Sequence, residues 1–164
     1  MIEPWPVYAC LAMSLCAAMV GGVFQSFSDF VMRSLSAARD AAGVEVMQMI
    51  NRKVFSSVFL FTALGLGPAL IAASLYASVF LPPGPTAWIV GGSAIYLIAV
   101  LLVTIVGNVP MNERLDTMPV GDADTTVYWR HYGRRWTHLN HMRTIGCAIA
   151  SGCLMIAAVQ LAGA

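Results

Sequence analysis

Four long apolar segments dominate the 164-residue sequence and limit what it can fold into. They cover approximately residues 7–35, 54–81, 86–107 and 139–161, with polar residues between them. Each is long enough to cross a hydrocarbon layer about 30 Å thick as a helix. The sequence therefore predicts an all-α, four-helix transmembrane bundle, formed by a single integral membrane domain at residues 1–164.

Composition excludes a soluble protein and a nucleic-acid partner. Hydrophobic residues make up 59% of the chain and charged residues only 10%, against about 25% charged residues in soluble domains. A net charge of +1, with the basic residues scattered among carboxylates, provides no surface that could follow a phosphate backbone. We therefore expect the lipid bilayer to be the main environment of this chain.

The distribution of basic residues predicts the orientation in the membrane. All nine lie in two regions, one from the end of the first span to the start of the second and the other from the end of the third span into the fourth. The turn ProProGlyPro at residues 82–85 carries none. By the positive-inside rule, both basic regions are cytoplasmic and both termini lie outside, as expected for a protein of the bacterial inner membrane.

Short amphipathic stretches accompany both cytoplasmic regions. Residues 37–53 have the pattern of an interfacial helix, in which we expect Gly43 to cause a break. A second amphipathic piece, Val127–Trp136, precedes the fourth span. We expect both to lie as separate short helices on the cytoplasmic side of the bundle.

Polar residues near the end of the first span allow two interpretations. Gln25, Asp29 and Arg33 follow one another at intervals of four and so share one face of a helix. Asp29 and Arg33 can form an interfacial ion pair, or Gln25 and Asp29 can face a cavity inside the bundle, where ionisable groups usually serve a site. The spacing does not decide between these two interpretations.

The cytoplasmic ends of the third and fourth spans hold the strongest candidates for a site. Asn108 and Asn112 flank Pro110, which predicts a broken or bent helix next to a cavity. When the bundle closes, we expect the polar residues at the span ends to converge on one rim. These residues are Asp29, Asn51, Asn108, Asn112, Trp136, His138, Asn140, His141 and Arg143.

Several kinds of chemistry fit such a rim. A metal site would need His138 and His141 together with Asp29 or Asp116, but no HExxH or similar motif is present, so we expect no metal. Haem bound through His138 or His141, with a methionine partner, is an open alternative. The same residues also occur as ordinary anchors at membrane interfaces.

Five short motifs match a known family in order and spacing. They are PheSerAspPheValMet and MetGlnMetIleAsn near the first loop, AsnValProMetAsnGluArgLeu at 108–115, TyrTrpArgHisTyr at 128–132 and TrpThrHisLeuAsnHisMetArgThr at 136–144. With these motifs, nearly the whole chain resembles the anthrone-oxygenase-like family of small four-span membrane proteins. The combination of ValProMetAsn with TrpThrxxAsnHisxArg carries most of the resemblance.

The resemblance implies an oxygenase without a cofactor, acting on a small hydrophobic aromatic ligand of the anthrone or hydroquinone type. A base would form an enolate, hydrogen-bond donors would stabilise it, and O₂ would react with it. On this basis His141 is the expected base, Asn112, Asn140 and Arg143 are the expected enolate donors, and Trp136 stacks on the substrate. Further expected substrate contacts are Asn108, Asp29, Gln25 and His138.

Two functions of other classes stay open. The same rim could belong to a non-catalytic membrane module that binds haem, a quinone or a lipid. Alternatively, the chain could be a structural subunit of a membrane complex, because the fourth span is rich in small residues that let helices approach closely. A homo-oligomer is also compatible with the sequence.

Overall fold

The protein forms five main helices, a short 3-10 helix at Val54–Ser56 and no strand in a computed structural model that describes residues 4–163. The main helices are α1 (Trp5–Ala37), α2 (Asp40–Lys53), α3 (Val58–Phe80), α4 (Pro83–Asp116) and α5 (Ala123–Ala162). All except α2 are long and apolar enough to cross a membrane. The prediction of an all-α bundle with four membrane-spanning helices is confirmed.

The turns between helices follow from local chemistry. Consecutive prolines disfavour continuation of a helix, and proline fits the first turn of the next one, so α3 ends at Phe80 and α4 begins at Pro83. This confirms the predicted tight turn. At its other end, α3 begins at Val58 rather than at residue 54, because the Ser57 hydroxyl caps the helix by accepting from the Leu60 amide at 3.1 Å.

The amphipathic piece predicted before the fourth span is not a separate helix. It is continuous with that span in α5, which has 40 residues and a length of about 60 Å at 1.5 Å per residue. Trp129, Tyr132 and Trp136 follow one another along one face and are all buried, so this half of α5 has a packed side of its own. That packing lets the helix continue beyond the apolar segment.

The break predicted at Gly43 is also wrong, because α2 runs through this residue. A Cβ atom at position 43 would lie 2.6 Å from the Leu35 carbonyl oxygen and 3.0 Å from the Trp129 ring. Glycine is needed here for the close approach of α2 to α1 and α5, and not for a change of direction.

Two helices contain wide, π-helical turns. In α1 these are at Phe27–Val31, and in α4 at Tyr96–Leu102 and Thr104–Asn108, directly before Pro110. The prediction at Pro110 was a broken or bent helix, and the break does not occur, because α4 continues through this residue. The irregularity that accompanies this proline, which lacks a backbone N–H, is instead the widening of the preceding turns.

The two basic regions meet at one end of the bundle, as predicted. We call this the polar end; it consists of α2, residues 108–116 of α4 and residues 123–143 of α5. Gln48 in α2 donates from Nε2 to the carbonyl oxygens of Leu115 (2.8 Å) and Met118 (2.9 Å). An apolar and aromatic cluster that includes Met47, Leu115 and Tyr132 lies beneath these bonds.

Candidate functional site

A cavity of about 220 Å³ opens at the polar end, and all five helices contribute to its wall. Most of the wall is apolar, but eight side chains with polar groups face it: Asn51, Arg52, Thr104, Asn112, Glu113, Asp116, Trp136 and Arg143. Ligand pockets of drug size usually have volumes of about 300–1,000 Å³. The cavity therefore suits a compact, largely apolar ligand with few polar atoms.

Arg143 is the most unusual residue of this wall. Its side chain is only 5% exposed. Its Nη1 donates to Thr104 Oγ1 at 3.3 Å, and its Nη2 donates to Asn140 Oδ1. The ion pairs within residues 4–163 are Arg52 with Asp116 and Arg130 with Asp40, so no carboxylate there pairs with Arg143. A buried cation is left facing an apolar cavity.

Aromatic rings hold the Arg143 guanidinium from two sides. Its Cζ lies 4.2 Å from the centre of the Phe24 ring and 5.3 Å from that of Trp136. Cation–π attraction offsets part of the lost hydration and fixes the plane of the group. Trp136 is in turn stacked on Tyr132, with ring centres 6.2 Å apart. The charge is thus immobilised without being neutralised.

Asn140 is completely buried and connects Arg143 to α1. Its Nδ2 donates to the Phe24 carbonyl oxygen and to Ser28 Oγ (2.6 Å), while its Oδ1 accepts from Arg143. With all of its hydrogen-bonding groups engaged inside the bundle, Asn140 positions the guanidinium rather than facing the cavity.

Asn112 presents a donor to the cavity. Its Oδ1 accepts from Tyr132 Oη at 2.8 Å and from Trp136 Nε1 at 2.9 Å. Because both neighbours donate to the oxygen, the amide nitrogen is left for a ligand. Asn108, only 1% exposed, lies behind this group. When the positions of its amide oxygen and nitrogen are exchanged, the oxygen accepts from Arg143 Nη2 and from Trp136 Nε1, each at 3.3 Å, so Asn108 and Asn112 share the indole N–H.

Asn51, at the end of α2, also lines the cavity. It is 7% exposed, and its Nδ2 is buried and has no hydrogen-bond partner among the described residues. Buried polar groups are nearly always satisfied, so this unpaired nitrogen is an exception within the cavity wall.

The family model described as anthrone oxygenase matches residues 46–153, which is well over half of the chain. The chain belongs to the anthrone oxygenase family. No curated protein and no solved structure matches it. The match supports an oxygenase-like role for this anthrone oxygenase family member at the level of the family, and the matched range includes Asn51, Asn112, Trp136 and Arg143.

The two histidines expected at the rim do not line the cavity. His138 and His141 are both exposed, on the side of α5 opposite Asn140 and Arg143. With its ring on the outer surface, His141 cannot take a proton from a substrate held in this cavity. The expectation that it faces the site as a base is therefore corrected, and a haem bound by either imidazole would lie outside the cavity.

Gln25 and Asp29 are also turned outward. Both are exposed, whereas the positions that face the bundle on this part of α1 are Phe24 and Ser28. The interpretation that places Gln25 and Asp29 in the cavity is wrong. An ion pair between Asp29 and Arg33, the other interpretation, is not formed in the part of the chain that the structure describes.

Three contributors to the site did not stand out in the sequence. Thr104 lies in the middle of an apolar run, and only its hydroxyl distinguishes it. Glu113 follows Asn112 directly within the AsnValProMetAsnGluArgLeu motif, and its place in this motif is the feature that could have indicated it. Tyr132 belongs to the TyrTrpArgHisTyr motif. Within residues 4–163, no group of three or more His, Cys, Asp or Glu side chains could hold a metal ion.

Proposed function

We propose that this protein oxidises a compact aromatic substrate of the anthrone or hydroquinone type, through an enolate or phenolate whose oxygen binds to Arg143. The observation that carries this proposal is the buried guanidinium without a carboxylate. Burial of an unpaired charge is costly, and an anion formed in the cavity would provide the missing partner.

Arg143 is suited to stabilising charge that develops during the reaction. It is fixed by Asn140, Thr104 and two aromatic rings, so it need not reorganise when the enolate forms. The amide nitrogen of Asn112, whose oxygen accepts from Tyr132 and Trp136, supplies a neutral donor at the same wall. A carbonyl oxygen directed at these groups would make the carbon-bound proton of the substrate more acidic.

For an anthrone, the oxygen step follows from this enolate, whereas a hydroquinone would pass two electrons and two protons to O₂ and give a quinone and hydrogen peroxide. The carbanionic carbon of the enolate transfers one electron to O₂, and the resulting superoxide combines with the carbon radical to give a peroxide, which takes up a proton. Loss of the second proton from the same carbon then breaks the O–O bond and leaves a carbonyl group and water. The substrate supplies all the electrons, so the proposal requires no cofactor.

Glu113 is the proposed base. Two carboxylates line the cavity, but Asp116 is paired with Arg52 Nε at 2.8 Å. Glu113 forms no ion pair among the described residues, and it is exposed at the cavity mouth, where it can pass a proton to water. It therefore replaces His141 in the role of general base.

The cavity also opens toward the lipid-facing surface. Phe55 and Leu64 both line it, and they are 77% and 47% exposed on the outside of the bundle. A hydrophobic substrate and O₂ both concentrate in a bilayer, so we propose that they enter from the side. The basic residues of the polar end favour a cytoplasmic position for the cavity mouth by the positive-inside rule, and we propose that the membrane is a bacterial inner membrane.

The test is turnover of anthrone by the purified protein in detergent under air, with anthraquinone formation followed by absorbance. The rate should exceed spontaneous autoxidation, and ¹⁸O₂ should place one labelled oxygen atom in the quinone. Glu113→Gln should lower the rate about 100-fold or more, as for the loss of a general base. Glu45→Gln, an exposed α2 carboxylate outside the cavity, is the matched control.

Two results would contradict the proposal. A rate equal to spontaneous autoxidation for anthrone and for a hydroquinone would exclude the reaction, and equal losses in Glu113→Gln and Glu45→Gln would exclude Glu113 as the base. A Soret band in the absorption spectrum of the active protein would show that haem, rather than the substrate enolate, activates oxygen.

A further inference from the structure

A second concave surface lies at the polar end, on the outside of the bundle. It has a volume of about 510 Å³ and lies between the last turns of α1 and the first half of α5. We call it the arginine groove, because Arg33, Arg130 and Arg134 line it. We propose that it binds the phosphate of an anionic phospholipid headgroup.

Charge is the first reason for this assignment. Asp40 is the one carboxylate among the residues that line the groove, and it lies 3.6 Å from Arg130 Nη2. Arg33 and Arg134 form no ion pair within residues 4–163, although Asp29 is one turn from Arg33 on the same helix. Two guanidinium groups are thus available, and their planar donors match the oxygens of a phosphate.

Shape is the second reason. Arg130 and Arg134 are one turn apart on α5, and Gly133, next to Arg134, also lines the groove. Because glycine has no side chain, the floor between the two helices stays open; a Cβ atom there would already lie 3.4 Å from Ser36 Oγ. Buried Trp129 and Met32, each 2% exposed, close the groove from below. The result is a recess of the size of a headgroup rather than a flat basic surface.

The surroundings favour a lipid over a free phosphate compound. Phe30, less than one turn before Arg33 on the side of the apolar span, is 59% exposed and can contact an acyl chain. On α5, His138 and His141 continue from Arg134 toward the span and are exposed. Such residues commonly mark the headgroup level of a bilayer, where basic side chains attract anionic lipids.

The experiment is calorimetric titration of the full-length protein in detergent with dihexanoylphosphatidylglycerol, and separately with dihexanoylphosphatidylcholine and with inorganic phosphate. The anionic phosphatidylglycerol should bind about tenfold or more tightly than the zwitterionic phosphatidylcholine. The double variant Arg33→Gln/Arg134→Gln should weaken its binding by a similar factor. Gly133→Leu should do so as well, by filling the groove without a change of charge.

The matched control is Arg39→Gln/Arg135→Gln, which removes two exposed arginines outside the groove and should leave the affinity unchanged. Thermal unfolding of each variant identifies any that is misfolded, and the charge and shape variants test the groove independently. Equal affinities for phosphatidylcholine and phosphatidylglycerol would overturn the proposal, as would an unchanged affinity for phosphatidylglycerol in both groove variants. If inorganic phosphate bound as tightly as phosphatidylglycerol, the assignment to a lipid would be overturned, and the result would point to a free phosphate compound.

Discussion

The inner and outer faces of α5 both carry polar or aromatic side chains over residues 136–143, but those of the inner face are buried and those of the outer face are exposed. Trp136, Asn140 and Arg143 face the bundle and are at least 95% buried. His138 and His141, between them in sequence, are exposed. The spacing of four and then three residues places the first three on one stripe. For this helix, position around the axis decides which polar group can act, and residue type alone does not.

Arginines show the same contrast. Arg143 is shielded by rings and neutral donors, whereas the arginines of the groove are exposed to ions. Salt screens exposed charges far more than buried ones. Binding of an anionic lipid to the groove should therefore weaken as salt increases, whereas turnover in the cavity should change little. The variants below test the difference between the two faces, beginning with the largest expected effect.

Loss of the Arg143 charge should have the largest effect. Arg143→Gln should lower kcat/KM for anthrone by about 100- to 1,000-fold, as for the loss of a donor to a developing oxyanion. Arg143→Lys keeps the charge but not the planar donors, so its loss should be smaller. Initial rates at several anthrone concentrations measure both effects. If the glutamine variant were as active as the lysine variant, charge at this position would not matter.

Removal of Asn140 should affect both stability and turnover. Asn140→Ala deletes two interhelical donors and the acceptor for Arg143, and each interhelical hydrogen bond in a membrane contributes about 0.6–2 kcal/mol. Unfolding in mixed micelles should therefore show a lower free energy of unfolding. Ser26→Ala, which removes only a bond within α1, should have almost no effect. Equal stability of the two variants would contradict the proposed connection.

Changes at the donors to Asn112 should have a smaller effect. Trp136→Phe and Tyr132→Phe each keep an aromatic ring but remove one donor to Asn112 Oδ1. Either change alone should lower kcat/KM only a few-fold, because the remaining donor still orients the amide. The double variant should lose more than the sum of the single losses in free energy, since coupled sites are not additive. Strictly additive losses would show that the two donors act separately.

The outer face should respond least. His141→Ala and His138→Ala should keep turnover within about twofold of the unchanged protein, since exposed substitutions away from a site have small effects. The same initial-rate assay measures this. A large loss in His141→Ala, with unchanged thermal unfolding, would return this histidine to the list of candidate bases and contradict the structure's separation of the two faces.

The helices could be predicted from the sequence because the length of an apolar run is a direct physical requirement of a bilayer. Much of the site could be predicted for a related reason: Asn112, Trp136, Asn140 and Arg143 are polar groups at the ends of apolar spans. The orientation of His141 could not, because it depends on how α5 packs against α1 and α4. Glu113 could not be predicted either, because an exposed glutamate in a polar segment is equally explained as a solvated residue.

The wide turns of α4 have a consequence for how this site tolerates insertions and deletions. Each π-helical turn accommodates about one residue more than an α-helical turn, and every residue of an α-helix rotates the chain by about 100°. Removal of one residue from Tyr96–Leu102 would leave α4 apolar and long enough to cross a membrane. The wide turn would close to an ordinary α-helical turn, so Asn108 and Asn112 would keep their direction toward Trp136, whereas removal of one residue from Pro83–Ile95 would turn them by about 100°. The cavity should therefore tolerate the loss of one residue at the wide turns better than in the α-helical part of α4.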